Sequence, residues 1–210
     1  MRKFVQSLAV LALLAAPAAV ATAQTAPAPK ALSATEAKAA GAFIDGLADQ
    51  AFAILRDKSM TKPQVRAKFR SMLRENFAVG DIGNRLIRRH RATITPAQYS
   101  AYMSTFPDYV VGTYADRLYD YSDSELKVIR TLPRGTRGDV EVFTRITLAS
   151  GGRPIDSTWT VRKAPNGAYQ IHNLSVAGVN LALTQEADFT SFIQRKGFDA
   201  LVTFMKDAAA

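Results

Sequence analysis

The chain has 210 residues, a formal net charge of +9, 48% hydrophobic residues, two histidines and no cysteine. The absence of cysteine excludes disulfides, thiol nucleophiles and cysteine-ligated metals, so stability must come from an ordinary packed core. The two histidines, His90 and His172, fall in no metal-ligand or triad spacing.

At the N-terminus, Arg2 and Lys3 precede an apolar run from Leu8 to Ala16, and Ala21-Thr22-Ala23 forms a small-residue cleavage site before Gln24. This pattern predicts a signal peptide over residues 1–23, because a membrane anchor needs about 20 apolar residues. The mature chain is expected in the periplasm. Residues 24–32 are rich in Ala and Pro and read as a disordered leader. Residues 33–207 then form one domain, with no internal repeat or second linker.

Ser33 and Glu36 make a capping box, followed by Phe43, Ile44, Leu47, Ala48, Ala51, Phe52 and Leu55 at helical spacing. Thr61, Lys62 and Pro63 open a second helix with Val65, Phe69, Met72, Leu73 and Phe77 on one face. Ile82, Leu86 and Ile87 mark a short third one. Thr95 and Pro96 are an N-cap and first helical position, and the run Tyr99, Tyr102, Met103, Phe106, Val110, Val111, Tyr114 and Leu118 follows. Pro107 is expected to kink this helix or split it.

The period then changes from helical to alternating. Leu126 to Thr131, Val140 to Leu148, Ile155 to Lys163 and Ala168 to Val176 are four strand patterns, separated by turn clusters at 133–138, 150–154 and 165–167. Val140, Val142, Thr144, Ile146 and Leu148 share one face of the second strand; Ile155, Ser157, Trp159 and Val161 share one face of the third. Short connections favour an antiparallel meander. The segment 169–204 carries the last strand into a terminal helix that stops near Gly197. Helices, a four-stranded meander and a closing helix give an α+β fold with helices on one sheet face.

Charge is concentrated. Between Lys62 and Arg91 stand Lys62, Arg66, Lys68, Arg70, Arg74, Arg85, Arg88, Arg89 and Arg91 against Glu75 and Asp81, while residues 24–61 and 92–210 are each balanced. Such a concentration is either a solvated helix face or a docking surface for an anionic partner, namely lipid headgroups or an acidic protein at the membrane. An exported chain without a helix-turn-helix, zinc or RNP signature is not expected to bind nucleic acid. Asp116 with Tyr114 and Tyr119 imitates the acid/base set of small cone-shaped isomerases, but such neighbours arise on any exposed helix and no enzymatic activity is expected. A chaperone or scaffold for apolar segments would also use an apolar groove and a basic face.

Several segments taken together resemble the MlaC family of periplasmic phospholipid-binding proteins, the auxiliary components of toluene-tolerance ABC transporters. Thr95-Pro96-Ala97-Gln98 with Phe106, Tyr114, Leu118 and Tyr121 is similar to that family's Thr-Pro-x-Gln helix. Arg153-Pro154-Ile155 with Trp159 and Val161 resembles the strand after its Gly-Arg-Pro turn. Val176 to Asn180, then Ala187, Asp188 and Phe189, resemble its Val-Glu-Gly-Val-Ser turn and following helix. The chain departs from the family at Ala177, Asn180 and Arg88 to Arg91, which also fits a related branch carrying a hopanoid-type lipid.

The resemblance implies a cone-like fold of NTF2-like shape with an interior lipid cavity and no cofactor beyond phospholipid as cargo. The implied partners are an inner-membrane ABC transporter bearing MCE-domain subunits and an outer-membrane lipoprotein complex, with transient contact to the membrane surface. On this reading the acyl chains lie between the Tyr99–Leu118 helix and the sheet. The expected lining is Tyr102, Met103, Phe106, Val110 and Tyr114 from the helix, Val142, Ile146 and Trp159 from the sheet, Phe69, Leu73 and Phe77 at one side, and Val179 at the mouth. Docking falls to Arg66, Arg70, Arg74, Arg85, Arg88, Arg89 and Arg91.

Overall fold

The first helix, α1 (Ala34–Arg56), begins where Ser33 and Glu36 cap one another: the Glu36 amide donates to Ser33 Oγ at 3.2 Å, and the Ser33 amide donates to the Glu36 carboxylate at 3.0 Å. The computed structural model describes residues 32–209; the expected signal peptide, and the leader before Leu32, lie outside the described residues. Small side chains on one side of α1, Ala37, Ala40 and Gly41, bring it close to the sheet, and a Cβ on Gly41 would come within 2.9 Å of Thr131 Cγ2. Its far end is tied down by Arg56, whose Nε and Nη2 donate to the carbonyls of Ser122 and Ser124 at 2.8 and 3.0 Å.

Helices α2 (Lys62–Asn76), α3 (Val79–Leu86) and α4 (Pro96–Leu118) follow their sequence signals. Thr95 caps α4 through the Gln98 amide, and Pro107 lies inside a helix that is not divided. A short 3₁₀ turn over Tyr119–Tyr121 leads to the sheet.

Strands β1 (Glu125–Arg134), β2 (Asp139–Thr147), β3 (Ile155–Lys163) and β4 (Tyr169–Val176) form an antiparallel meander, and the register pairs Val140 with Val161, Val142 with Trp159, Thr144 with Ser157 and Ile146 with Ile155. The two alternating rows expected from the sequence thus meet on one face. Two features differ from that expectation. Val176 to Asn180 is a tight hairpin and not a bare turn: Ala177 (φ 49°) and Gly178 (φ 81°) fold the chain back into a fifth strand, β5 (Val179–Asn180). Positive φ at both central residues matches the right-handed twist of a two-residue hairpin. The C-terminal helix is also double. Gly197 (φ 88°) ends α5 (Leu181–Lys196), and α6 (Phe198–Ala209) places Phe198, Leu201, Val202 and Met205 in the core at helical spacing.

The extra helix changes what α4 faces. Helix α4 packs along α6, and a Cβ on Gly112 would overlap the Ala208 carbonyl oxygen and lie 2.8 Å from Ala209 Cα. The sheet is covered instead by α1, which leans on β1 and β2, while α2, α3 and α5 meet β4. The link between α2 and α3 closes part of the β4 edge through a parallel bridge between Phe77 and Ile171, with the Ala78 amide donating to the Ile171 carbonyl at 2.9 Å. Three packed clusters result: α1 against the sheet, the C-terminal half of α1 with α2 and α4, and α3 with α4, α5 and α6.

Candidate functional site

The inner face of the sheet changes character along its strands. Beneath α1, Val140, Val142, Val161 and Ile171 are fully enclosed. At the other end of the same face, Ile146, Ile155, Leu174 and Val176 are only half-buried and stand outside all three packed clusters. The register puts them together: Ile146 faces Ile155, Ser157 faces Val176, and Trp159 faces Leu174. An inward sheet face normally buries its apolar row, so branched aliphatic side chains left half-covered there form a surface suited to an apolar ligand.

Polar groups separate the closed and open ends. Trp159 Nε1 donates to Thr144 Oγ1 at 2.9 Å, which satisfies the indole within the sheet and fixes the ring. Ser157 lies beside them with a buried hydroxyl that has no hydrogen-bond partner. A trough of about 290 Å³ is lined by Ile129, Phe143 and Thr158 and reaches Thr144 and Ser157; at its rim Arg130 stacks 3.8 Å over the Phe143 ring and Arg145 pairs with Asp156 at 2.7 Å. Its volume sits at the lower edge of what small-molecule sites occupy, roughly 300–1,000 Å³.

The residues expected to line one pocket are distributed over all three clusters. Tyr102 and Phe106 are enclosed between α3, α4, α5 and α6, with the Tyr102 hydroxyl donating to the Gly83 carbonyl at 3.0 Å and its ring stacked on Phe106 and edge-on to Phe189. Burial pushes the Tyr102 phenol far above its ordinary value. Met103 and Val110 border the same core. Phe69 is buried, and Leu73 half-buried, between α1, α2 and α4, and Val142 lies directly under α1. Phe77 and Trp159 border the sheet core, Ile146 and Tyr114 are half-buried outside the clusters, and Val179 is exposed on β5. The apolar side of α4 is divided between the α3–α5–α6 core and the α1–α2 core and is not gathered over the sheet.

The basic residues are also separated. Arg70 pairs with Asp108 across α2 and α4 at 2.5 Å, in an ion pair without a well-directed hydrogen bond. Arg85 Nη2 donates to the His172 carbonyl at 2.6 Å, and burial holds its guanidinium below the ordinary value. Arg88 and Arg89 approach the buried carboxylate of Glu186 at 2.8 and 3.6 Å, and Arg91 stacks 3.8 Å above the Tyr99 ring. Arg66 is half-buried and Arg74 exposed. Much of the charge concentration thus ties helices together. Neither Asp108 nor Glu186 was distinguishable in the sequence, since carboxylates default to the surface.

His172 Nδ1 lies 3.5 Å from Asp81 Oδ2, and burial, with Arg162 nearby, depresses its pKa. The described residues contain no cluster of side chains able to hold a metal ion. No helix among them is long and apolar enough to cross a membrane.

A family model described as MlaC protein matches residues 45–207. The intermembrane phospholipid transport system binding protein MlaC of Haemophilus influenzae is 21% identical over 129 residues, which span 61% of this chain and 60% of that relative's length. A phospholipid-binding protein from Ralstonia solanacearum, solved in complex with a phospholipid, superposes with a TM-score of 0.65 at 20% identity, covering 81% of this chain and 96% of that one.

Proposed function

This chain belongs to the MlaC family, and from that premise we propose that it is a periplasmic phospholipid carrier whose cargo rests against the open end of the inner sheet face. The observation that carries this reading is the half-covered row Ile146, Ile155, Leu174 and Val176, apolar side chains on an inward face that join no packed cluster. A phospholipid tail exposes about 0.8 kcal/mol of unfavourable hydration per methylene, so a carrier must cover its cargo with such a surface. Binding and release need no covalent step.

The sheet's polar spot, Thr144, Ser157 and the Trp159 indole, borders this row and offers the buried Ser157 hydroxyl as a partner for an ester oxygen. Phe77 and Tyr114 remain candidates for the walls; Tyr102, Phe106 and Val142 serve the packed cores. In the pathway we assign, the protein moves lipid between an outer-membrane lipoprotein complex and an inner-membrane ABC transporter with MCE-domain subunits.

Solvent extraction and native mass spectrometry of the purified mature protein test the reading. A stoichiometric lipid is expected, its headgroup and chains identifying phospholipid or a hopanoid-type cargo; no bound lipid together with no uptake from liposomes would overturn it. Val176→Trp should fill the open end and lower occupancy. A tryptophan at Val142 would instead overpack the α1–sheet core.

A further inference from the structure

The shoulder formed by β5 and the start of α5 exposes two aliphatic side chains, Val179 at 50% and Leu183 at 59%. They flank Asn180, whose side chain accepts from the Leu183 amide at 3.1 Å and caps α5. Residues three apart on a helix are surface neighbours, so Leu183 stands beside Glu186. That carboxylate gathers Arg88 and Arg89, whose side chains nevertheless remain 61% and 67% exposed. Among Arg85, Arg88, Arg89, Arg91, Asp81 and Glu186 the cations outnumber the carboxylates by two. The first turn of α5 contains no acidic residue, so its amide end adds partial positive charge on the same side.

We propose that this shoulder docks the protein on an anionic phospholipid bilayer, with Val179 and Leu183 entering the headgroup boundary and Arg88 and Arg89 meeting lipid phosphates. Aliphatic prongs beside exposed cations are what an interfacial contact requires, and a bilayer accepts them without shape complementarity. A protein partner fits less well, because a stable interface buries about 800 Å² per side around an apolar core and two aliphatic side chains do not supply one. The proposal rests on the carrier reading only in giving the contact a purpose. It also separates Arg88 and Arg89 from Arg70, which is held by Asp108.

Sedimentation of the full mature chain with vesicles of phosphatidylcholine and phosphatidylglycerol, against phosphatidylcholine alone, tests it. Binding should require the anionic lipid and weaken in high salt. Leu183→Asn with Val179→Asn should lower the partition roughly tenfold, and Arg89→Gln about fivefold, while Arg74→Gln on α2 leaves it nearly unchanged. Arg89 is chosen because replacing Arg88 would uncover Glu186. Equal binding of the double variant, or equal binding to both vesicle types, would overturn the proposal, as would absence of any vesicle binding. Lipid content of the same preparations is read separately: cargo retained with docking lost supports the proposal, and a wild-type protein that binds anionic vesicles but holds no cargo would sink the carrier reading alone.

Discussion

Tyr102 and Val176 both lie on inward faces, yet the structure treats them oppositely. Between α3, α4, α5 and α6, Tyr102 is sealed by Phe106, Phe189 and Phe198, and Leu201 and Met205 complete the core. At the open end of the sheet, Val176 and its neighbours remain half-covered. Aromatic side chains concentrate where the helices hold one another, whereas the aliphatic row at the far end of the sheet is left incompletely packed, which is where the proposed cargo would rest.

The largest effect is expected at the closed end. Phe189→Ala should destabilise the fold by about 3–5 kcal/mol in chemical denaturation, as expected for an enclosed aromatic ring; a cost well under that would mean the helical core is not tightly closed. Gly112→Val forces a side chain against the last turn of α6, and a loss of about 1–3 kcal/mol is expected. An unchanged melting temperature would show that α6 does not need its close approach to α4.

His172, near the border of the two regions, sharpens the contrast through pH. Its folded pKa lies below the unfolded value of 6.5, mainly through burial and then through Arg162. Asp81 and Asp139 oppose that shift. The unfolded chain therefore takes up the proton first on acidification. Its contribution to stability is fully present above about pH 6.5 and falls as the pH drops towards the folded value, with a slope of at most about 1.4 kcal/mol per pH unit. Thermal unfolding across that range should show the decline, and His172→Gln should flatten it. The smallest effect on stability is expected at the open end: Val176→Ser should change it by only about 0.5 kcal/mol yet reduce lipid retention after purification. Equal retention would remove the open row from the binding surface.

Helix starts and strand faces were legible because their causes are local. Ser33 with Glu36 forms the reciprocal cap that its spacing implies, Thr95 caps α4 as expected, and the Val140 and Ile155 rows meet in register. Partner choice was not legible. Tyr99 to Leu118 announces an apolar stripe, but nothing in one stripe says whether a sheet or another helix will cover it. Phe198, Leu201, Val202 and Met205 carry the same helical spacing beyond Gly197 and were the available signal for α6. The fifth strand is two residues long, below the length at which alternation can be read. The candidate site was partly legible, since Ile146 and Trp159 were expected there, whereas Leu174 and Val176 become distinct only once burial is known.

The Tyr169 hydroxyl donates to the Glu36 carbonyl at 3.1 Å, and Lys163 lies 3.7 Å from the Glu36 carboxylate, so the first element rests on strands synthesised more than a hundred residues later. Loop closure over such separations is slow. The small-residue side of α1 packs chiefly on β1 and β2, so it stays uncovered until those strands have formed. Burial of α1 is therefore expected to follow formation of the β1–β2 hairpin, although the helix itself is specified by its own local cap.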